Sequence, residues 1–157
     1  MVPVRAGCAD PGNPHERVVA PRRGPHDGWV IVRDAMSAMV LSVGPDHSLR
    51  SVAQKMASRK VGAAVVEDHE GEGVGILTER DILIAIAAGE DPDLETARAH
   101  LTPDIVYAAP EWTLEHAGQA MMRGGFRHLV VMEDGEVVGI VSMRDLVRVY
   151  LSSLDEG

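Results

Sequence analysis

Residues 30–36 are apolar with Arg33-Asp34 interrupting them, and residues 40–43 form a short apolar run of strand character. Gly44-Pro45-Asp46 makes a turn, and Asp46 or Ser48 is placed to cap a following helix by accepting from its free N–H groups. In that helix Leu49, Val52, Ala53 and Met56 recur at i, i+3, i+4 and i+7, which puts them on one face. Gly62 stops it. Residues 63–66 read as a buried strand, residues 68–73 as an acidic, glycine-bearing hairpin turn, and residues 74–77 as the returning strand. Thr78 opens a second helix, with Ile82, Leu83, Ile86 and Ala87 as its apolar stripe. The predicted order is strand, helix, strand, strand, helix.

A linker at residues 89–98 follows, where Pro92 is unsuited to a helix interior, and then the order recurs. Leu101-Thr102-Pro103 parallels Met36-Ser37-Ala38, and residues 105–108 parallel residues 40–43. Pro110 aligns with Pro45, Leu114 with Leu49, Gln119 with Gln54 and Met121 with Met56, all at an offset of 65. The offset falls to 64 after the shorter turn Glu133-Asp134-Gly135-Glu136. The best-kept stretch is Gly75-Ile76-Leu77-Thr78-Glu79-Arg80-Asp81 against Gly139-Ile140-Val141-Ser142-Met143-Arg144-Asp145. Two copies are too few for a solenoid. They predict two fused supersecondary units with a pseudo-twofold axis, each covering apolar sheet surface that the other leaves exposed.

Composition narrows the class. The apolar fraction is 45% but aromatics are only 3%, so the core must be built from Val, Ile, Leu, Ala and Met. A net charge of −9 disfavours nonspecific nucleic-acid binding, and any anionic ligand must be held by local cations and N–H groups. A single cysteine, Cys8, excludes an internal disulfide. No apolar run reaches the roughly 18 residues of a membrane helix and no signal peptide is recognisable, so a cytoplasmic protein without membrane contact is expected. Residues 1–29, rich in Pro, Gly and Arg, read as a disordered tail. The remaining boundaries are a first unit at 30–88, a linker at 89–98, a second unit at 99–151 and a tail at 152–157.

The repeated pieces resemble a pair of cystathionine-β-synthase (CBS) domains. Matching segments are Asp34-Ala35-Met36-Ser37 with Ala99-His100-Leu101-Thr102, and Val61-Gly62-Ala63-Ala64-Val65-Val66 with Phe126-Arg127-His128-Leu129-Val130-Val131. The third pair is the Gly-to-Asp stretch above. The resemblance implies an α/β (α+β) fold of two β-α-β-β-α units forming one module. It also implies clefts for AMP, ADP, ATP or S-adenosylmethionine. In the family the Asp of this stretch binds the ribose hydroxyls, and the Thr or Ser lies near the ribose and phosphate. Those roles fall on Asp81 and Asp145, and on Thr78 and Ser142. The family often carries Pro where this chain has Val65 and Val130. Because the first copy has Gly62-Ala63 where the second has Arg127-His128, two unequal sites are expected, the second supplying more cation.

From the residues alone the chemistry stays open. Thr-x-x-Asp at a helix start is a weak capping box as well as a candidate ligand contact. The two roles are partly compatible, since a helix start also presents free N–H groups to a phosphate. Arg80 and Arg144 either fold over a phosphate or remain solvated, and His128 either packs at a strand edge or meets ligand. The histidines and Cys8 show no metal-ligand spacing, so no metal is expected. There is no nucleophile elbow, phosphate-binding Gly-Lys loop or acid–base pair, so no enzyme is expected. The expected function is a regulatory sensor that binds an adenine nucleotide or S-adenosylmethionine, requires no cofactor and acts in trans on an unknown protein effector. The alternative is a ligand-free dimerisation module with vestigial clefts. A homodimer is expected through exposed helix faces, with Ile82, Ile86, Leu146 and Val149, or Met56 and Met121, as candidates.

Overall fold

A computed structural model describes residues 30–68, 73–103 and 105–155. The tail reading of residues 1–29 falls outside the described residues, as does most of the first hairpin turn. The elements are α1 (Val32–Ala35), β1 (Ser42–Val43), α2 (Leu49–Arg59), β2 (Ala63–Asp68), β3 (Gly73–Thr78), α3 (Glu79–Ala87) and α4 (Ala97–His100). They continue with β4 (Tyr107–Ala108), α5 (Leu114–Gly124), β5 (His128–Glu133), β6 (Glu136–Ser142) and α6 (Met143–Asp155). The fold is α+β with two mixed three-stranded sheets, ordered β1-β2-β3 and β4-β5-β6. In each, a parallel first pair is followed by an antiparallel hairpin.

Two compact units result, and they do not follow the repeat boundaries. One holds residues 39–105; the other combines the segment before residue 39 with residues 106 onward. Each repeat's lead-in helix therefore docks in the unit built mainly by the other repeat. In the β4–β6 unit, the Val32 and Arg33 amides of α1 donate to the Trp112 and Pro110 carbonyls at 2.8 and 2.9 Å. In the β1–β3 unit, Ala97 and Arg98 of α4 donate to the His47 and Pro45 carbonyls at 2.8 and 2.9 Å. Val32, Ala35 and Ala97 are buried there, which anchors these one-turn helices by apolar contact.

Local sequence explains the helices. Ser48 accepts from the Ser51 amide at 3.2 Å and caps α2; Thr113 accepts from the His116 amide at 3.1 Å and caps α5. Leu49, Val52 and Met56 are buried from α2, and Ala117 and Met121 from α5. Both helices end on a left-handed residue, Lys60 (φ 55°) and Gly125 (φ 68°). Each unit has its own core. One gathers Leu49, Val52, Met56, Ala64, Val66 and Leu77; the other gathers Val32, Trp112, Met121, Leu129, Val131 and Val141.

Several expectations need correction. Strands 40–43 and 105–108 shrink to two-residue pairings at Ser42–Val43 and Tyr107–Ala108. The buried face of α3 is Ile82 with Ala85, while Leu83, Ile84 and Ile86 are 65%, 60% and 53% exposed. Met56, Met121, Ile82 and Leu146 are core residues and Val149 is half-buried, so of the six residues offered as an assembly surface only Ile86 is exposed. The α4 helix begins inside the segment read as linker, and α6 runs to Asp155, beyond the boundary at 151.

Candidate functional site

Each hairpin delivers its second strand straight into a helix, and the candidate residues sit at those two junctions. Thr78 ends β3 and caps α3: its Oγ accepts from the Asp81 amide at 3.3 Å and donates to Asp81 Oδ2 at 2.9 Å. The same Oδ2 accepts from the Thr78 amide at 2.8 Å, which closes a capping box. At the β6–α6 junction the Ser142 amide and Oγ donate to Asp145 Oδ2 at 2.9 and 2.6 Å, and the Asp145 amide donates back to the hydroxyl at 3.2 Å. The capping geometry therefore holds in both copies. Each Asp is fixed at the start of a helix, half-buried, with one carboxylate oxygen committed.

The second oxygen differs between the copies. Asp145 Oδ1 meets Arg148 Nη2 at 3.0 Å, pairing the half-buried acid with an exposed arginine one turn along the helix. Asp81 Oδ1 has no partner among the described residues, and the position matching Arg148 is Ile84.

Neighbouring strands bring the other candidates in. His128 is the cross-strand partner of Ser142, as Ala63 is of Thr78. The Arg127 carbonyl accepts from the Met143 amide at 2.8 Å, and the Gly62 carbonyl from the Glu79 amide at 3.0 Å. Arg127 thus flanks the α6 start, while Gly62 flanks the α3 start. Arg80, Arg127 and Arg144 are exposed and make no ion pair among the described residues. Glu79 went unremarked in the sequence. A Cβ on Gly62 would lie 3.4 Å from its carboxylate carbon, so this acid covers the place that Arg127 holds in the other copy. The signal for it was a Glu where the second copy has Met143.

The shallow depression at the opposite end of β3 holds none of these residues. Its walls include Pro45, Asp68, Gly73, Gly75, Arg98 and Leu101, and it forms part of the seat for α4.

Two units of the order β-α-β-β-α, each with a capping carboxylate at the start of its last helix, define a tandem-repeat architecture, and comparison with known proteins agrees. Residues 32–88 and 97–152 match the CBS domain, and the chain belongs to that family. A CBS-domain containing protein from Agrobacterium tumefaciens is 32% identical, with a TM-score of 0.72 over 82% of this chain and 99% of that one. The CBS domain pair of protein MJ0100, solved with 5′-methylthioadenosine and S-adenosyl-L-methionine, is 23% identical, with a TM-score of 0.72 over 80% of this chain and 98% of its own. An uncharacterized protein of Methanopyrus kandleri is 30% identical over 112 residues, 70% of this chain, which spans only 57% of that relative's length. No helix among the described residues is long and apolar enough to cross a membrane.

Proposed function

We propose that this chain is a regulatory sensor whose strand–helix junctions bind the ribose of an adenosine-containing ligand, an adenine nucleotide or S-adenosylmethionine. The observation that carries the reading is the duplicated capping carboxylate. Asp81 and Asp145 are held at helix starts, each beside a hydroxyl and directly preceded in sequence by an exposed arginine with no ion-pair partner among the described residues. A carboxylate so fixed makes charge-assisted hydrogen bonds to vicinal hydroxyls, and the helix start favours a phosphate. The bound ligands of the MJ0100 pair support an adenosyl class.

The protein acts without catalysis, in trans on a protein effector, as a cytoplasmic homodimer. Support for self-association is the exposed apolar surface of α3, with Leu83, Ile84 and Ile86, and of α6, with Val147, Tyr150 and Leu151. A second reading, an interaction module without ligand, draws on the closed capping boxes, which account for both Asp residues by helix stability alone. Calorimetric titration with AMP, ATP and S-adenosylmethionine, beside a thermal-shift panel of the same compounds, separates the two. Saturable heat and a raised Tm support the sensor. Flat titrations with all three sink it.

A further inference from the structure

We infer that Glu90, Glu95 and His100 form a binding site for a divalent transition metal, zinc by preference, in the β1–β3 unit. The three side chains converge on one point. His100 Nε2 lies 2.8 Å from Glu95 Oε2 and 3.1 Å from Glu90 Oε2, and the three donor atoms all fall within 4.8 Å of one another. A neutral imidazole carries at most one proton on Nε2, whereas two carboxylate oxygens face that nitrogen. The cluster therefore holds more lone pairs than hydrogens to fill them. A cation bonded to all three atoms satisfies the surplus. With metal–ligand bonds of about 2.0–2.2 Å, adjacent donors in a tetrahedral site stand on the order of 3.3 Å apart. The two distances to Nε2 need little adjustment to reach that.

The backbone beneath the donors is pinned. Glu90 follows Gly89 (φ 83°) at the end of α3, and its amide donates to the Ala85 carbonyl at 3.1 Å, closing the helix in a Schellman turn. The Glu95 amide donates to the Asp91 carbonyl at 2.9 Å and its carbonyl accepts from the Leu49 amide at 2.9 Å. His100 closes α4, whose start is tied to His47. The donors thus come from two helix ends and a loop already ordered by other bonds, so little entropy remains to be lost on binding. The C-terminal end of α3 adds a partial negative charge beside Glu90, which favours a cation there. Side-chain exposure is 16% for His100, 35% for Glu95 and 40% for Glu90, so one side stays open for water or a further ligand.

The donor set selects the metal class. Imidazole with carboxylates suits zinc and its first-row neighbours, while magnesium and calcium prefer oxygen alone. Residue spacing concealed the site, because Glu90, Glu95 and His100 fall five apart and meet only when the segment between α3 and α4 folds back. An occupied site would fasten the end of α3 to the lead-in helix of the second repeat.

The test is zinc titration of the full chain against a chromophoric chelator, with His100→Gln, Glu95→Gln and Glu90→Gln in parallel. Wild type should take up one zinc equivalent that His100→Gln lacks, and either Glu variant should bind about 10–100-fold more weakly, at least the loss usual for a supporting group. Zinc should raise the Tm of wild type and not of His100→Gln, and magnesium should give no His100-dependent rise. Zinc taken up by the chain's other histidines appears equally in every variant. Should His100→Gln fail to fold by circular dichroism, the two Glu variants decide. Zinc isotherms that match wild type in the folded variants overturn the site and leave an imidazole–carboxylate cluster.

Discussion

Gly139 lies against the backbone of Ser37: a Cβ built on it would stand 3.0 Å from the Ser37 carbonyl oxygen and 2.7 Å from Met36 Sδ. Gly75 stands in the same relation to Thr102, with 3.0 Å to its carbonyl oxygen and 2.7 Å to Leu101 Cδ1. Both contacts sit at short bridges, Ser37 with Ile140 and Thr102 with Ile76, bonded in both directions at 2.9–3.1 Å. The glycine that opens each repeated stretch therefore serves the docking of a lead-in segment rather than a ligand. Gly139→Ala or Gly75→Ala must push that segment off its bridge, a cost of about 1–3 kcal/mol for overpacking a fitted site. Urea denaturation should show a lowered midpoint for each. An unchanged midpoint would mean that the segments are not held at the bridges.

Elements whose signals are local were legible in the sequence. The hairpins, the caps at Ser48 and Thr78, and the buried runs of β2 and β5 follow from period and turn chemistry within a few residues. The docking of Val32 on Trp112 and of Ala97 on His47 was not, because each joins residues from different repeats and leaves no local periodicity. The stripe of α3 was misplaced because Ile82, Leu83, Ile84 and Ile86 put apolar residues on several faces, so the spacing fits more than one stripe. Only packing selects Ile82 and Ala85. The capping places of Asp81 and Asp145 are legible from the repeat, whereas the closeness of Glu79 to Gly62 depends on packing and leaves no local pattern.

His116 should make the protein acid-sensitive. Its Nε2 is buried without a hydrogen-bond partner among the described residues, and the ring meets Trp112 edge-on with centroids 4.2 Å apart. Burial first, and the charge of Arg123 second, push its pKa below the ordinary imidazole value. The unfolded chain then takes up this proton at higher pH than the folded one. The resulting stability is complete above about pH 6.5 and is lost as pH falls from there through the lowered folded value. His116→Phe keeps an aromatic ring on Trp112 and cannot titrate. Unfolding free energies at pH 7.5 and pH 5 should differ more for wild type than for this variant. Equal differences would assign the pH dependence to other groups.

Lys60 and Gly125 occupy matching helix ends, but only glycine adopts a positive φ without steric strain. Lys60→Gly should relieve left-handed strain of roughly 1–2 kcal/mol while adding backbone freedom to the unfolded chain, a net gain of about 0.5–1 kcal/mol. Gly125→Ala should lose a comparable amount. Both are read from denaturation midpoints, and a destabilised Lys60→Gly would show that the lysine side chain contributes more than its strain costs.

The two junctions should also differ in the ligand charge they accept. At the α6 start, Arg127 flanks Met143 and no Glu stands in the first turn; at the α3 start, the Glu79 carboxylate lies over Gly62. On the proposed reading, a phosphate-bearing nucleotide should be favoured at Asp145, and an uncharged or cationic adenosyl compound should be better tolerated at Asp81. Asp145→Ala removes a charge-assisted bond of about 1.5–3 kcal/mol, so AMP or ATP affinity should fall roughly tenfold to a hundredfold or more. Asp81→Ala should weaken the same nucleotides less. Glu79→Met places at the first junction the residue that the second has at Met143 and lifts a repulsion of about 0.5–1 kcal/mol, typical of exposed charges. It should strengthen nucleotide binding severalfold at the first junction and leave 5′-methylthioadenosine, which has no phosphate, unchanged. If each Asp serves only as a cap, both Ala variants lose about 0.5–2 kcal/mol of stability and keep wild-type affinity. Calorimetry and thermal melts on the three variants separate these outcomes. Equal losses at Asp81 and Asp145, with Glu79→Met silent, would sink the charge asymmetry while sparing the sites themselves.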